Sequence, residues 1–476
     1  MKRICPRRLF LAFLGLLSLL TVQASGAEHP NILFIYTDDQ APTAAGFAGN
    51  DELKTPNLDR LAAEGCILRN AFTTTPVCSP SRAGLAASRY GSELGILDWI
   101  NPNSEQELGL NPNTVTWMEL LQEAGYHTGL FGKWHLGTQT QYHPTLTGYD
   151  TFMGILEGGC PPKDPVLEVD GHKEKQSGFT VDLVTEAAMD FIEANKSEPF
   201  LVSLHYREPH AAWLPARDED WLPYRDLDPT LPDPGIENLD TQRVKKMTRE
   251  YYASVASVDR NVGRVLDLLE QLKLRHQTIV IFTSDHGYHN GHAGLWFKGN
   301  AQWMLTKLPE QQWPNIAPKQ RPNLFDQALR VPTIVSWPNV TQPNSELNEC
   351  VTNLDWYPTL LSIAGVELPA DIHIHGRDFT PLLKGQETNW NNEFYCEYSM
   401  RHGATTDMRG WRTPEWKLII DSANPGRAEL YDLKADPREF ENLIDSADPS
   451  HIAVRNQLTA KIEAHVKQLG IATQAR

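Results

Sequence analysis

Asn31-Ile32-Leu33-Phe34-Ile35-Tyr36-Thr37 is an almost unbroken apolar run, and Asp38-Asp39-Gln40 follows it directly. An apolar run without polar alternation is typical of a strand buried on both faces, as in a parallel sheet. In open α/β sheets, ligands bind beyond the carboxyl ends of the strands. The stretch therefore predicts a central strand of an α/β fold, with two carboxylates at the functional edge of its sheet.

Three further apolar segments also end in acidic, histidine or lysine residues. The predicted strands are 128–131, 200–206 and 278–283, and the polar residues beyond them are Lys133 and His135, His210, and Asp285 and His286. Helices are predicted between the strands, at 181–194 and 243–272. This alternation predicts an α/β fold, with a large mainly parallel or mixed sheet sandwiched by helices.

The segments around this pattern are less regular. A strand over 66–72 is predicted to run into a helix that begins at Arg82, and another helix is predicted over 114–123. Residues 299–323 are rich in Trp, Pro and Gln and are predicted to form an inserted loop. A strand over 331–336 and a helix over 356–364 resume the regular pattern.

The chain changes character at about residue 386. Short apolar stretches at 394–398, 417–420 and 429–433, with a helix over 452–469, predict a small C-terminal α+β subdomain with an antiparallel sheet. We therefore expect a catalytic domain over residues 28–385 and a C-terminal subdomain over 386–476.

The first 27 residues have the layout of an export signal. Four basic residues flank or precede the apolar run 9–22, and small residues follow it. A membrane anchor is the alternative, but the run is shorter than the ~20 residues that a spanning helix needs. We expect residues 1–27 to be a removed signal peptide, and the protein to be periplasmic or extracellular without a stable membrane anchor.

The charge of the chain argues against a nucleic-acid partner. The formal net charge of −17 would become −21 without residues 1–27, because that segment holds four cations and no acids. Such a surface repels nucleic acid and acidic membranes. An anionic substrate would therefore need a local group of positive charges.

Cys78 lies in the stretch Pro76-Val77-Cys78-Ser79-Pro80-Ser81-Arg82. Most free cysteines are small buried hydrophobic residues. The polar neighbours of Cys78 instead indicate a helix entrance, where peptide dipoles favour an anion, and such a place also suits a reactive thiolate. The other mature cysteines are scattered and do not form a disulfide framework.

Cys78-Ser79-Pro80-Ser81-Arg82, with Gly91 further on, resembles the signature of the type I sulfatases of the alkaline phosphatase superfamily. Other matching stretches follow in the order of the family: Asp38-Asp39-Gln40, Gly132-Lys133-Trp134-His135-Leu136-Gly137, Pro209-His210, Asp285-His286-Gly287, Lys298, and 430–437. The resemblance covers nearly the whole mature chain. It implies an alkaline phosphatase-like fold and the hydrolysis of sulfate esters.

The resemblance also implies a metal centre and a modified cysteine. A maturation enzyme would oxidise Cys78 to formylglycine. The metal ligands would be Asp38, Asp39, Cys78 in its modified form, Asp285 and His286. Adjacent aspartates after a strand also occur simply as turn residues. Oxygen ligands suit Ca²⁺ or Mg²⁺; the resemblance favours Ca²⁺, although His286 stands where many members have asparagine.

In the implied mechanism, one hydroxyl of the hydrated formylglycine attacks sulfur, and deprotonation of the second hydroxyl then expels sulfate. Arg82 and Lys133 would hold the formylglycine and sulfate oxygens, and His135 would be the base. His210 and Lys298 would contact the sulfate ester, and one of them would protonate the leaving oxygen.

The expected substrate is a sulfated carbohydrate. Lys133, His210, Lys298, Asn300 and Arg409 are the predicted substrate-binding residues, and Trp99, Trp296 and Trp303 are candidates for stacking on sugar rings. Two alternatives remain open at this point. One is a phosphonate monoester hydrolase or phosphodiesterase of the same superfamily, and the other is a non-catalytic glycan-binding homologue.

Overall fold

A computed structural model describes residues 29–169, 171–310 and 312–470. The predicted signal peptide lies outside the described residues. The strands are β1 (Asn31–Thr37), β2 (Cys66–Leu68), β3 (Ala71–Phe72), β4 (His127–Lys133), β5 (Thr151–Ile155), β6 (Val166–Val169), β7 (His172–Lys175), β8 (Phe200–His205), β9 (Thr278–Ser284), β10 (Leu295–Trp296), β11 (Gln302–Trp303), β12 (Ile334–Ser336), β13 (Ser345–Leu347), β14 (Val351–Thr352), β15 (Phe394–Tyr398), β16 (Met408–Arg412), β17 (Trp416–Asp421) and β18 (Glu429–Asp432).

The helices are interleaved with these strands, as predicted. They are α1 (Pro56–Glu64), α2 (Cys78–Ala87), α3 (Gly91–Leu94), α4 (Trp117–Glu123), α5 (Thr180–Ala194), α6 (Asp218–Arg225), α7 (Thr241–Gln271), α8 (Asp326–Leu329), α9 (Trp356–Ala364), α10 (Thr380–Leu383) and α11 (Pro449–Gln468). No helix within the described ranges has both the length and the apolar character needed to cross a membrane.

A ten-stranded sheet forms the centre of the molecule, in the order β13-β2-β12-β9-β1-β8-β4-β5-β6-β7. The five strands from β9 to β5 are mutually parallel, whereas β12 is antiparallel to both of its neighbours. The predicted α/β fold with a mainly parallel or mixed sheet is therefore confirmed. Because the parallel strands share one direction, their carboxyl ends meet along one edge of the sheet.

β1 lies at the centre of this sheet and is buried along its whole length. Ile32, Phe34 and Tyr36 pack into one hydrophobic core, together with Trp117 of α4 and Trp356 of α9. The alternate residues of β1 pack into a second core, on the opposite face, with residues of α1, α5 and α7. The apolar run of β1 thus serves two helical layers, as the lack of alternation predicted.

The C-terminal part contains the expected antiparallel sheet, in the order β15-β16-β17-β18. Residues of α11 such as Leu458 and Ile462 pack against Leu418 and Leu430 of this sheet. A buried ion-pair network attaches it to α8: Lys417 Nζ lies 2.7 Å from Glu439 and 2.5 Å from Asp326. The proposed boundary at residue 386 stays a prediction.

Several predicted element bounds differ from the structure. The helix expected to begin at Arg82 begins at Cys78, because the Ser81 amide already donates to the Val77 carbonyl. Pro80 does not prevent this, since proline is tolerated in a first helical turn. The strand expected over 66–72 is two strands that pair with different partners, β2 with β12 and β3 with β14.

Gly132 marks a place where β4 and β8 leave no room for a side chain. Its φ is +117°, and a Cβ atom there would lie 1.9 Å from the His205 carbonyl oxygen. Gly125 also has a positive φ, +93°, but open space around it. We predict that Gly125→Ala costs about 1 kcal/mol of backbone strain, and that Gly132→Ala costs about 1–3 kcal/mol more.

Urea unfolding of the two variants, followed by tryptophan fluorescence, measures this difference. The unfolding midpoint of Gly132→Ala should lie below that of Gly125→Ala. Equal midpoints would contradict the close strand contact.

Candidate active site

The ends of β1 and β9 bring four predicted metal ligands together. The two strands pair in register up to Thr37 and Ser284, so that Asp38 and Asp39 follow one strand beside Asp285 and His286 after the other. The Asp285 amide donates to the Thr37 carbonyl at 3.0 Å, which fixes the two strand ends to each other. All four side chains are almost completely buried.

The carboxylate oxygens of this group converge on the His286 ring. His286 Nε2 lies 3.2 Å from Asp285 Oδ1, 3.5 Å from Asp39 Oδ1 and 3.7 Å from Asp38 Oδ1. His286 Nδ1 is 2.9 Å from the Gly287 carbonyl oxygen, so Nδ1 carries a proton. His286 Nε2 thus faces three carboxylate oxygens, and Lys298 Nζ, 3.2 Å from Nε2, is the cation that the protein itself places beside them.

The donor set fits a divalent metal ion. One ligand atom from each of Asp38, Asp39 and His286 lies within 4.8 Å of the others. The buried Asp38 Oδ1 has no hydrogen-bond donor among the described residues, whereas Asp39 Oδ1 is paired only with the Lys298 ammonium group, at 2.7 Å. A buried, unpaired carboxylate oxygen is costly unless a cation compensates it. Mainly carboxylate ligands favour a hard cation, whereas the imidazole of His286 is also compatible with softer ones.

Fixed positive side chains surround the same carboxylates. Lys298 Nζ lies 2.7 Å from Asp39 Oδ1, and the buried Lys133 ammonium group donates a short hydrogen bond to Asp38. Burial acts to raise the pKa of the Asp38 carboxyl, but Lys133, followed by His210 and Lys298, outweighs it and holds that pKa well below its usual value. Asp38 is therefore ionised.

Arg82 connects three parts of the site. Its Nε donates to Asp285 Oδ2 at 3.0 Å, and its Nη1 donates to the Lys133 carbonyl oxygen at 2.9 Å. The guanidinium also lies 5.1 Å from the centre of the Tyr36 ring. These contacts position Asp285 and Lys133, and the predicted contact of Arg82 with sulfate stays a prediction.

Cys78 is the first residue of α2, and its thiol shares a hydrogen bond with His286. Burial acts to raise the pKa of the thiol, but Lys133 and Lys298, together with that hydrogen bond, outweigh it and lower the pKa. Burial raises the pKa of the other four described cysteines, to about 11 at Cys160 and about 12 at Cys350 and Cys396. Cys78 alone among the described cysteines therefore lies in an environment that favours an anion.

His135 has the protonation state of a base. Its Nε2 lies 3.0 Å from the Ile100 carbonyl oxygen and so carries the ring proton, whereas the buried Nδ1 has no partner among the described residues. Burial, assisted by Lys133, places the pKa of His135 well below its usual value. The ring is therefore neutral at neutral pH, and its Nδ1 lone pair is free to accept a proton.

His210 is the most accessible of the site histidines, with 29% of its side chain exposed. Its Nε2 lies 4.0 Å from Asp39 Oδ2, and its Nδ1 is 2.7 Å from the Ala211 carbonyl oxygen. Partial desolvation of the side chain lowers the pKa of His210 to about 4, against the effects of Asp38 and Asp39. His210 and Asn300 are partly exposed, whereas Lys133 and Asp285 are fully buried, and the substrate contacts of His210 and Asn300 stay predictions.

Arg409 is not brought together with these residues. It lies on β16, where its Nη2 is 2.9 Å from Asp407 and its Nη1 donates to Ser399 Oγ at 3.0 Å. Trp296 is fully buried and packs edge-on against Trp213 and Tyr288, as a core residue does. The substrate contact of Arg409 stays a prediction.

Three residues that sequence reasoning missed hold the site in place. Tyr251 of α7 donates its hydroxyl proton to the Asp39 carbonyl at 2.8 Å and accepts from the Ala41 amide. The Ser81 hydroxyl donates a short hydrogen bond to the Asp285 carbonyl, and Asn353 donates to the Ser81 carbonyl at 3.0 Å. Ser81 belongs to the quoted motif, but nothing in the sequence distinguishes Tyr251 from a core residue.

Asp98, Trp99 and His402 form a wall beside the catalytic residues. The Ile100 amide donates to Ser79 Oγ and the Ile100 carbonyl accepts from His135, so Trp99 directly precedes a residue bound to both α2 and His135. The half-buried Trp99 ring lies 4.3 Å from the His402 ring. Asp98 Oδ2 accepts from the His402 amide and lies 3.1 Å from its Nδ1, which fixes the pair.

Comparison with protein families gives two matches. Residues 30–366 match the model described as Sulfatase. Residues 320–468 match the model described as N-sulphoglucosamine sulphohydrolase, C-terminal. The first match spans the large sheet and all of the site residues predicted from the sequence except Arg409.

Individual proteins with named activities are similar in sequence to this chain over most of its length. An N-acetylglucosamine-6-O-sulfatase of Bacteroides thetaiotaomicron is 28% identical over 92% of this chain and 87% of its own length. A human steryl-sulfatase is 26% identical over 97% of this chain and 92% of its own length. A solved structure of a complex with the substrate D-glucosamine-2-N,6-O-disulfate superimposes with a TM-score of 0.79 and 25% identity, covering 94% of this chain and all of that chain.

The geometry predicts that a cation stabilises the folded protein through Asp39. Adding Ca²⁺ to chelator-treated protein should raise the Tm, since a ligand at 1,000 times its Kd contributes about 4 kcal/mol. Asp39→Asn should abolish the rise, because it removes one buried charge that binds the ion. The control is Asp267→Asn, which alters a 58% exposed carboxylate.

Differential scanning fluorimetry with and without Ca²⁺ makes the comparison. The wild type and Asp267→Asn should show equal shifts. A full shift in Asp39→Asn would contradict the assignment of this carboxylate to the cation.

Proposed function

The chain belongs to the sulfatase family and is a sulfuric ester hydrolase, and on that premise we propose that it hydrolyses sulfate monoesters of carbohydrates through a formylglycine made from Cys78. The observation that carries the proposal is the environment of Cys78, a thiol at a helix entrance whose pKa is lowered by Lys133 and Lys298. Both ammonium groups lie at the Asp38 and Asp39 carboxylates, and we infer that they also face a sulfate group bound at residue 78. Fixed cations of this kind stabilise charge that develops on a transferring group.

The modification explains why a cysteine is needed where a serine would suffice for simple nucleophilic attack. A formylglycine hydrate supplies two hydroxyl groups on one carbon, one to attack sulfur and one to release sulfate after it loses its proton. Conversion requires a formylglycine-generating maturation enzyme as a partner. Asp38, Asp39, Asp285 and His286, with the oxidised residue 78, would hold a Ca²⁺ ion, which would supply positive charge beside that residue.

Each catalytic side chain has a specific role in proton transfer or in the stabilisation of charge. The neutral His135 accepts the proton of the second hydroxyl at Nδ1, because Nε2 already donates to Ile100. Lys133 and Lys298 hold the sulfate oxygens as cations, since each faces a buried carboxylate. The proton for the leaving alcohol comes from Lys298, or from His210 when its ring is protonated at Nε2 as well as at Nδ1, and both residues lie on the Asp39 side of the site.

A carbohydrate substrate is supported by the relatives and by the wall of Asp98, Trp99 and His402. One relative acts on N-acetylglucosamine 6-O-sulfate, as its name states, and the superimposed structure binds a disulfated glucosamine. The human relative is named for steryl sulfate, so similarity alone does not identify the alcohol that carries the sulfate group. An aromatic ring next to the catalytic residues provides the flat face on which a sugar ring stacks.

We also propose that the enzyme is exported. The basic residues and apolar run of residues 1–27 support export, which would bring a glycan-degrading enzyme to a periplasmic or extracellular substrate. The catalytic centre described above does not depend on this localisation.

Released sulfate tests the reaction directly. Protein co-expressed with a maturation enzyme should release sulfate from 6-O-sulfated N-acetylglucosamine, or from another sulfated sugar of a panel, as followed by ion chromatography. Cys78→Ala should lower turnover on the order of 10³-fold or more, as loss of a nucleophile does. Cys66→Ala, another buried cysteine variant, should retain activity.

Faster turnover of a phosphodiester than of every sulfate ester would support the phosphodiesterase alternative instead. A Cys78 that stays an unmodified thiol after co-expression with the maturation enzyme, without turnover, would favour a non-catalytic glycan-binding role. Unfolding of Cys78→Ala, monitored by circular dichroism, would mean that the cysteine is structural.

We predict that substitution of Trp99 in this wall selectively weakens sugar binding. Trp99→Ala should raise KM for a sulfated sugar roughly tenfold, the equivalent of about 1.4 kcal/mol of lost stacking, with a smaller change in kcat. Trp99→Phe retains a flat ring and should recover most of the affinity. Steady-state kinetics of the wild type, Trp99→Ala and Trp99→Phe measures these KM values. Equal KM values in all three proteins would contradict the stacking role.

A further inference from the structure

Glu93, His373 and His375 form a second group of metal-type ligands, on other elements than those of the active site. Glu93 lies on α3, and the two histidines lie on the segment that connects α9 with α10. One ligand atom from each of the three lies within 4.8 Å of the others. None of them has a role in the hydrolysis of a sulfate ester as proposed above.

The distances are close to those of a bound ion. His375 Nε2 lies 2.9 Å from Glu93 Oε2. Two ligands at about 2.0 Å from a tetrahedral Zn²⁺ are about 3.3 Å apart. The distance between Glu93 Oε2 and His375 Nε2 therefore needs to increase by only a few tenths of an ångström to admit an ion. The centre of the His373 ring lies 4.8 Å from that of the His375 ring, and the two rings meet edge to face.

A hydrogen-bonded Glu93–His375 pair alone does not account for the neighbouring groups. His465 of α11 lies with its ring centre 6.2 Å from that of His375, and its buried Nε2 has no partner among the described residues. Arg89 Nε is 3.7 Å from Glu93 Oε1, too far for a hydrogen bond. Glu93 Oε2 also accepts from the Tyr90 amide at 3.0 Å, so Glu93 Oε1 is the oxygen of this carboxylate that stays available, and His465 Nε2 is available beside the group.

The segment that carries the histidines is held firmly in place. The His375 amide donates to the Ser88 carbonyl at 2.8 Å, and the Gly376 amide donates to Ser88 Oγ at 2.8 Å. A Cβ atom at Gly376 would lie 2.0 Å from the Leu354 carbonyl oxygen, so the backbone packs closely there. Ser88 caps α2, the helix that begins at Cys78. A metal ion at this group would therefore stabilise the support of the catalytic helix.

We propose that Glu93, His373 and His375 bind one divalent transition-metal ion of the Zn²⁺ class in a structural role. His465 lies beside these three ligands. Imidazole nitrogens with one carboxylate are ligands for zinc and its neighbours, whereas the carboxylates of the active site favour a harder cation. The two sites therefore select different metals in the same chain.

The experiment uses the full chain with Ca²⁺ in excess, so that the carboxylate-rich active site is saturated. Zn²⁺ is titrated by isothermal calorimetry, and Co²⁺ is titrated in parallel with detection of its visible absorption bands. His373→Ala removes one ligand from an exposed position and should leave the fold intact. His172→Ala, an exposed histidine on β7, is the matched control.

The wild type and His172→Ala should bind one equivalent of Zn²⁺, give cobalt bands typical of nitrogen ligands, and show a rise in Tm with Zn²⁺. His373→Ala should bind Zn²⁺ at least tenfold more weakly and lose the Tm rise. Equal binding by His373→Ala, or no Zn²⁺ binding by the wild type, would overturn the proposal. Because sulfatase activity is not measured, these results are independent of the proposed reaction.

Discussion

The structure depends on the compensation of buried negative charge at the ends of two neighbouring parallel strands. Asp38, Asp39 and Asp285 are nearly inaccessible to water. Three carboxylates in such a place remain ionised only if cations face them, because desolvation and mutual repulsion both oppose the charge. Lys133, Lys298 and Arg82 supply part of that compensation. Asp38 Oδ1, which accepts no hydrogen bond from the described residues, calls for an additional cation.

The same constraint explains the backbone around the site. Asp39 and His135 have φ values of 68° and 60°, in the left-handed region that costs a non-glycine residue about 1–2 kcal/mol. Tyr251 fixes the first of these turns through the Asp39 carbonyl, and the Leu156 carbonyl accepts from the His135 amide in the second. The rigid sheet and these hydrogen bonds offset the strain, and the site is thereby assembled before a substrate arrives.

The sequence was sufficient to predict the α/β architecture, because β1 and β9 are long apolar runs whose polar ends are unmistakable. It also predicted which residues meet at the sheet edge, since parallel strands present their carboxyl ends together. It did not predict Tyr251, which lies 212 positions from Asp39 on a helix and resembles any core tyrosine. The helix start at Cys78 and the whole of β16 were also missed, because Pro80 and the glycine in Met408–Arg412 weaken the local signals.

The central claim is that Cys78 is converted into the functional residue. Mass spectrometry of the peptide that contains residue 78, from catalytically active protein co-expressed with a maturation enzyme, tests it most directly. The peptide should be lighter than its thiol form by the difference in mass between a thiol and an aldehyde. It should also react with a hydrazide. An active preparation in which this peptide is entirely an unmodified thiol would contradict the account.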